Sequence, residues 1–369
     1  MLRLPDFDEL DAEQDDILDL PLDASVLISG PPGTGKTVMA IYRARMLQRS
    51  GRPTQLLMYG RLLSQYTTAA VDQLGIDGIV STYHSWFPSF WRRAYGGRPP
   101  KAGAYTYDWA ACKEHMMRAP VPAQEKRHII VDEGQDMPKD FYLVLRLISS
   151  SMTVLADENQ RITDDQSTLE DIRTASGITE VRQLRKNYRN TKGIAKLASS
   201  FYVGLPSGTP DVPKARGGAK PVLLRHASLA RTVDHLTNLE STFRDRSIGV
   251  LLPRVDLVLA LYDELASRRT RNPVQGYLNS SLKRTLPTVD FGSPGIKVLT
   301  WASAKGLEFD SVVLPELQAV RGEPDSDELR MKFYVLTSRA REQLFLTYTG
   351  KGEPSFVAAL PRDLLDDQR

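Results

Sequence analysis

Ser25-Val26-Leu27-Ile28-Ser29 runs directly into Gly30-Pro31-Pro32-Gly33-Thr34-Gly35-Lys36-Thr37. The short apolar run stops abruptly at a glycine and reads as a buried strand, while Val38 to Leu47 continues as a helix. The eight residues between them fit the pattern G-x-x-x-x-G-K-[ST]. In such a loop the glycines let the backbone curl until its N–H groups converge on phosphate oxygens, helped by the N-terminus of the following helix. Lys36 is placed to reach the β- and γ-phosphates of ATP, and the Thr37 hydroxyl to hold Mg²⁺. Gly30, Pro31, Pro32, Gly33, Thr34, Gly35, Lys36 and Thr37 are therefore the candidate nucleotide-binding residues. A chance glycine loop would lack the flanking strand and helix.

A second strand-like run, His128-Ile129-Ile130-Val131, ends in Asp132-Glu133. Two acids after a strand are common on solvated loops, but beside a phosphate loop they acquire roles. Asp132 is expected to hold Mg²⁺ directly or through water, and Glu133 to orient and deprotonate the attacking water. Gln55 to Tyr59 and Met152 to Ala156 complete one set of strands with Ser25 to Ser29 and His128 to Val131. A second set follows at Val222 to Leu224, Ile248 to Leu252, Ile296 to Thr300, Ser311 to Leu314 and Gln343 to Thr347. Apolar runs alternating with helical patterns imply an α/β fold with parallel sheets. The break near Ser176-Gly177 divides the chain into 1–176 and 177–369, and the Gly/Pro-rich stretches Gly204 to Pro221 and Asn272 to Gly295 read as surface loops.

The 369 residues suit two or three domains, and 41% hydrophobic with 25% charged residues is ordinary for a globular protein. A net charge of +3 is too small to diagnose a nucleic-acid binder, so any basic footprint must be local. Cys112 is the only cysteine, which excludes an internal disulfide and a cysteine metal cluster and fits a reducing compartment. The N-terminus lacks a signal-peptide layout, and no apolar run approaches the roughly 18 residues of a membrane span. These features lead us to expect a cytoplasmic protein with no membrane partner.

From Asp132-Glu133-Gly134-Gln135-Asp136 onward the chain resembles the UvrD/Rep type of superfamily 1 DNA helicases. Leu10-Asp11-Ala12-Glu13-Gln14 looks like the adenine-reading glutamine motif, and Ser81-Thr82-Tyr83-His84-Ser85 like the T-F-H-S motif. Asp157-Glu158-Asn159-Gln160 is similar to G-D-x-x-Q, and Asn187-Tyr188-Arg189-Asn190 to N-Y-R-S/N. Ser303 to Phe309 reads S-A-K-G-L-E-F, and Tyr334 to Arg341 resembles Y-V-x-x-T-R-A-R with Ser338 at the threonine position. The resemblance implies two tandem RecA-like P-loop NTPase domains with one ATP between them. It implies that Gln14 reads the adenine edge, Tyr188 stacks on its face, and Glu308 binds near the ribose or triphosphate. By the same resemblance Gln160 senses the γ-phosphate, and Arg189 and Arg339 stabilise the transferred phosphoryl group. Taken without the family, Tyr188 could be core packing, Arg189 and Arg339 could be surface salt-bridge formers, and Glu308 could be structural.

Between Trp86 and Arg118 lie Trp86, Trp91, Trp109, Phe87, Phe90, Tyr95, Tyr105 and Tyr107, together with six Lys or Arg. Aromatic faces beside cations suit a single-stranded nucleic-acid groove, and they suit a small core as well. By resemblance Tyr59 and His84 belong to the strand channel, with Trp86 beside them. The family's histidine before S-A-K-G-L-E-F is Ala302 here, so Trp301 is the candidate to stack instead. Met58-Tyr59 stands for the family's Thr-Phe, and Val38 for the arginine that often follows the loop.

Only about forty residues separate Phe87 from His128, and fewer than a hundred separate Ala198 from Ile296. The large insertions of typical members are thus reduced or missing. Two functions remain: a motor translocating on single-stranded nucleic acid, DNA rather than RNA, or an ATP-driven sensing subunit that switches a protein partner such as a nuclease.

Overall fold

A computed structural model of the chain describes residues 4–72, 74–76, 78–103, 106–157, 166–204, 208–213, 216–278, 286 and 289–369. The described residues fall into two compact units, one running to Arg185 with Gly208 added, the other starting at Lys186.

In the first unit the strands are β1 (Val26–Ser29), β2 (Thr54–Met58), β3 (Val80–Thr82), β4 (Arg127–Val131), β5 (Ser149–Ala156) and β6 (Glu180–Gln183). Its helices are α1 (Ala12–Leu18), α2 (Lys36–Arg49), α3 (Arg61–Asp72), α4 (Tyr83–Tyr95), α5 (Trp109–Arg118), α6 (Lys139–Ile148) and α7 (Leu169–Ser176). The second unit holds β7 (Val222–His226), β8 (Ser247–Leu252), β9 (Gln275–Gly276), β10 (Gly295–Thr300), β11 (Phe309–Leu314), β12 (Ala340–Thr349) and β13 (Asp366–Asp367). Its helices are α8 (Lys192–Ser200), α9 (Leu229–Thr242), α10 (Val255–Ala266), α11 (Asp327–Thr337) and α12 (Ser355–Ala358).

The first sheet has the order β3-β2-β4-β5-β1-β6, and the second β13-β7-β12-β11-β8-β10-β9. Every named strand pairs in parallel. Matching β1 to β7, β2 to β8, β3 to β10, β4 to β11, β5 to β12 and β6 to β13 makes the two orders coincide, with β9 as one additional edge strand. The same RecA-like wiring has been used twice. Helices must return the chain across each parallel pair, which is why both faces of β1, β2, β4, β8 and β10 are buried and their sequences are largely apolar runs.

Every strand expected from those runs is present. The four that were not expected, β3, β6, β9 and β13, are the four sheet edges. An edge strand needs little apolar surface, and Glu180-Val181-Arg182-Gln183 is largely exposed. Pairing of this β6 with β1 carries the first unit beyond Ser176-Gly177 to Arg185, so the boundary lies later than the expected one. Gly177, with φ 75°, is the left-handed cap that ends α7, and it gave the local signal of a break.

Trp86, Phe87, Phe90 and Trp91 on α4, Cys112 and Met116 on α5, and Phe141 and Tyr142 on α6 form one buried cluster on the first sheet. The aromatic stretch that fitted either a groove or a core is therefore mostly core; Tyr105 lies outside the described residues. Trp86 stacks on Phe90 at 5.2 Å and is only 5% exposed.

Two buried polar residues tie the elements beneath the loop. Arg43 on α2 donates to the carbonyls of Ile17, Leu20 and Pro21 and to Thr153 Oγ1, joining the end of α1 to β5. His128 on β4 contacts Ser151 Oγ at 2.6 Å and Thr153 Oγ1 at 2.9 Å, both on β5. Burial, with Arg43 and Arg52 nearby, drives its pKa down to about 3. No helix among the described residues is long and apolar enough to cross a membrane.

Candidate nucleotide site

The loop leaves β1 at Gly30, whose N–H donates to Ala156 at the end of β5. A Cβ at Gly30 would lie 2.8 Å from the Leu184 carbonyl oxygen, so no side chain fits there. Gly35 caps α2 at φ 86°, a conformation that suits glycine, and a Cβ there would meet Gln14 Nε2 at 2.7 Å. Gln14 is thereby placed against the loop. It is buried on the first turn of α1, where its Oε1 accepts from Asp11 N while Asp11 Oδ1 accepts from the N–H groups of Glu13 and Gln14. This reciprocal cap fixes the start of the helix and with it the glutamine.

Within the loop, Thr34 Oγ1 donates to Pro31 O at 2.9 Å. Lys36 Nζ folds back onto the Gly30 and Pro31 carbonyls at 2.5 and 3.1 Å and lies 3.7 Å from Asp157 Oδ2. Thr37 Oγ1 donates to Asp132 Oδ2 at 2.7 Å. A hydroxyl and a carboxylate oxygen side by side form the hard oxygen pair that Mg²⁺ prefers, so the residues present fit that ion. Asp132 is fully buried. Burial and the adjacent Glu133 carboxylate raise its pKa, against the lowering pull of Thr37 and Lys36.

Glu133 follows at φ 51°, a left-handed conformation shared among the described non-glycine residues only with Glu316. Its Oε2 accepts from Gln135 Nε2 at 2.6 Å, and Gln135 Oε1 accepts from Asp157 N at 2.9 Å. Gln135 is fully buried and thus couples the end of β4 to the end of β5. In the sequence Gln135 and Asp157 lie inside the family-like motifs, which by themselves assign neither a role. The signal lay in a polar side chain two residues beyond Glu133, inside a segment that packs between strands. Gln160 lies outside the described residues.

The second unit repeats the local device without the chemistry. Glu316 follows β11 at φ 59°, accepts from Gln318 Nε2 at 2.5 Å, and Gln318 Oε1 accepts from Thr349 N at 3.0 Å at the end of β12. Pro315 stands where Asp132 stands in the first unit, and Ala227-Ser228 leads from β7 into α9 with no glycine loop. The phosphate-loop sequence and the paired Asp132-Glu133 carboxylates occur in one unit and have no counterpart in the other.

Tyr188 and Arg189 sit in a turn organised by Asn187, whose Oδ1 accepts from the N–H groups of Arg189 and Asn190. Arg189 Nε donates to Glu308 Oε2 at 2.6 Å. Arg341 Nη1 lies 3.9 Å from the other Glu308 oxygen. Burial would raise the Glu308 pKa, but Arg189, Arg341 and Arg339 outweigh it and hold the carboxyl below the usual range. Arg339 is 1% exposed, and its Nε donates to Val335 O.

Of the residues expected at nucleic acid, Tyr59 is exposed at the end of β2, stacked 5.6 Å from Tyr83 and 6.1 Å from the His84 ring. Trp86 turns inward, as described above. Trp301 is half-buried, donating Nε1 to Leu251 O at 3.1 Å with its ring edge-on to Phe333.

An AAA domain family matches residues 16–165, and a UvrD-like helicase C-terminal domain family matches residues 265–351. A solved structure described as the C-terminal domain of a possible DNA helicase from Lactobacillus plantarum WCFS1 is 22% identical. It covers 49% of this chain and 99% of that chain at a TM-score of 0.36, a likeness too loose to bear on function. No curated protein matches the chain.

Proposed function

The chain belongs to the UvrD-like superfamily 1 helicases, and on that footing we propose that it is a nucleic-acid-dependent ATPase that translocates on single-stranded DNA. The observation that carries the proposal is the meeting of Lys36 and Thr37, after β1, with Asp132 and Glu133, after β4, around Asp157 at the end of the intervening β5, where ligands bind in open α/β sheets. Lys36, now on loop carbonyls, would move to phosphate oxygens. Thr37 and Asp132 would hold Mg²⁺, which when bound neutralises charge on those oxygens. Glu133, steadied by Gln135, would orient the attacking water and take its proton. Gln14 would read the adenine edge from its place against Gly35, and Tyr188 would cover the ring. Arg189 and Arg339, with Gln160 as sensor, would act on the γ-phosphate, and Glu308 would lie near the nucleotide.

Tyr59 and His84 form the exposed ring pair best suited to a single strand, with Trp301 less open and Trp86 part of the core. Among the described residues only two α-helices, α4 and α5, and one 3-10 turn, Ala123–Glu125, stand between β3 and β4. So short an insertion favours a bare motor over a duplex-splitting machine, with a protein partner such as a nuclease supplying further grip or being switched by the motor. The purified chain is expected to hydrolyse ATP faster with single-stranded DNA than without. An ATPase indifferent to DNA across a range of salt would overturn this reading.

A further inference from the structure

The Tyr188-Arg189 turn is braced from behind by a residue that belongs to no motif. Arg216, in the segment between α8 and β7, donates Nη1 to the carbonyl oxygens of Tyr188 at 2.7 Å and Arg189 at 2.5 Å. Its Nη2 donates to Glu342 Oε1 at 2.9 Å on β12. The backbone around it is laced to the same turn: Lys192 N donates to Arg216 O at 3.0 Å, and a Cβ on Gly218 would lie 2.6 Å from Thr191 Cβ. On the far side Asn190 Nδ2 donates to Ser338 and Ala340, while Glu308 holds Arg189 Nε. Arg189 Nη1 is buried with no hydrogen-bond partner among the described residues.

We propose that Arg216, oriented by Glu342, is a positioning residue that fixes the main chain carrying Arg189, so that the Arg189 guanidinium is presented to the transferred phosphoryl group. The proposal rests on the reading of Arg189 given above. The planar guanidinium matters because one group must satisfy two successive carbonyls and a carboxylate at once, which a lysine ammonium on a flexible stem does less well. Small errors in the placement of a catalytic group are expensive: a displacement of about 1 Å can lower a rate about 10²-fold.

The test is a double-mutant cycle on the full chain, reading DNA-stimulated kcat and KM for ATP, with nucleotide binding measured separately. Arg189→Ala is expected to lose about 10³-fold or more in kcat. Arg216→Ala should lose about 10²-fold in kcat with a much smaller change in KM. In the Arg189→Ala background, Arg216→Ala should lower kcat no further, because its effect on kcat runs through Arg189. Arg216→Lys and Glu342→Gln, which keep the bulk of the side chains, should fall between wild type and Arg216→Ala. They carry the same cycle if the alanine variant does not fold. Losses that multiply in the double variant, or a defect confined to KM, would overturn the proposal while leaving the role of Arg189 intact. Normal turnover in Arg189→Ala would remove that role and this proposal with it.

Discussion

Glu133 sits in a left-handed conformation that costs a non-glycine residue about 1–3 kcal/mol, and it does so beside the phosphate loop. A glycine would adopt that backbone without strain. Glu133→Gly is therefore expected to hold or raise thermal stability while abolishing turnover, which melting curves and an ATPase assay together would check; a clear loss of stability would show that the carboxylate is needed for folding. Glu133→Gln keeps the shape and the contact with Gln135 but not the base. It should bind ATP as wild type does and not hydrolyse it, because in the proposed role the carboxylate acts only on the water in the transition state. Lys36→Ala should do the reverse and weaken binding itself. Near-normal hydrolysis by Glu133→Gln would remove Glu133 from the role of base.

Between strands, His128 joins β4 to β5 within the sheet that carries both Asp132 and Asp157. Thr153 Oγ1 accepts from Arg43 Nε, and its own proton can point to His128 Nε2 while Nδ1–H donates to Ser151 in the neutral tautomer that suits both neighbours. A neutral ring satisfies this network, and burial beside Arg43 and Arg52 disfavours the charged one. The folded pKa of about 3 lies below the unfolded value near 6.5, so the unfolded chain binds the extra proton first. Stability from this group is full above pH 6.5 and falls as the pH drops from there towards 3. The loss is about 1.4 kcal/mol at pH 5.5. Denaturant melts at pH 7.5 and 5.5 should show His128→Gln less acid-sensitive than wild type by about that amount. Equal acid sensitivity of the two proteins would contradict a neutral, buried His128.

For the molecule as a whole, the short insertions set the expected behaviour on DNA. Separating a base-pair step costs about 1.4 kcal/mol on average, and a motor without accessory domains has few surfaces with which to hold the fork. Strand displacement by the purified chain should be poor even where single-stranded DNA stimulates its ATPase. That stimulation should fade with added salt, because lysine and arginine contacts to phosphates release counterions. Efficient unwinding of a long blunt-flanked duplex would restore the plain helicase reading.

Most of this was legible in the chain itself wherever chemistry demands contiguous residues. A loop that wraps phosphates with its backbone must keep its glycines, lysine and threonine at fixed spacing, so Gly30 to Thr37 declared the fold and the class of ligand proposed for it. The inner strands declared themselves because parallel strands buried on both faces need unbroken apolar runs. The four edge strands did not, since exposed edges need no such pattern. Nor could spacing reveal which aromatics face inward: Trp86 and Tyr59 carry similar promise in sequence, and only packing of α4 against α5 and α6 buries the first and leaves the second exposed. The residues that hold the site in shape, Gln135 across two strand ends and Arg216 behind the Arg189 turn, act through contacts between segments distant in sequence. Those contacts exist only once the parallel sheet has brought the segments together, and so tertiary structure alone decided them.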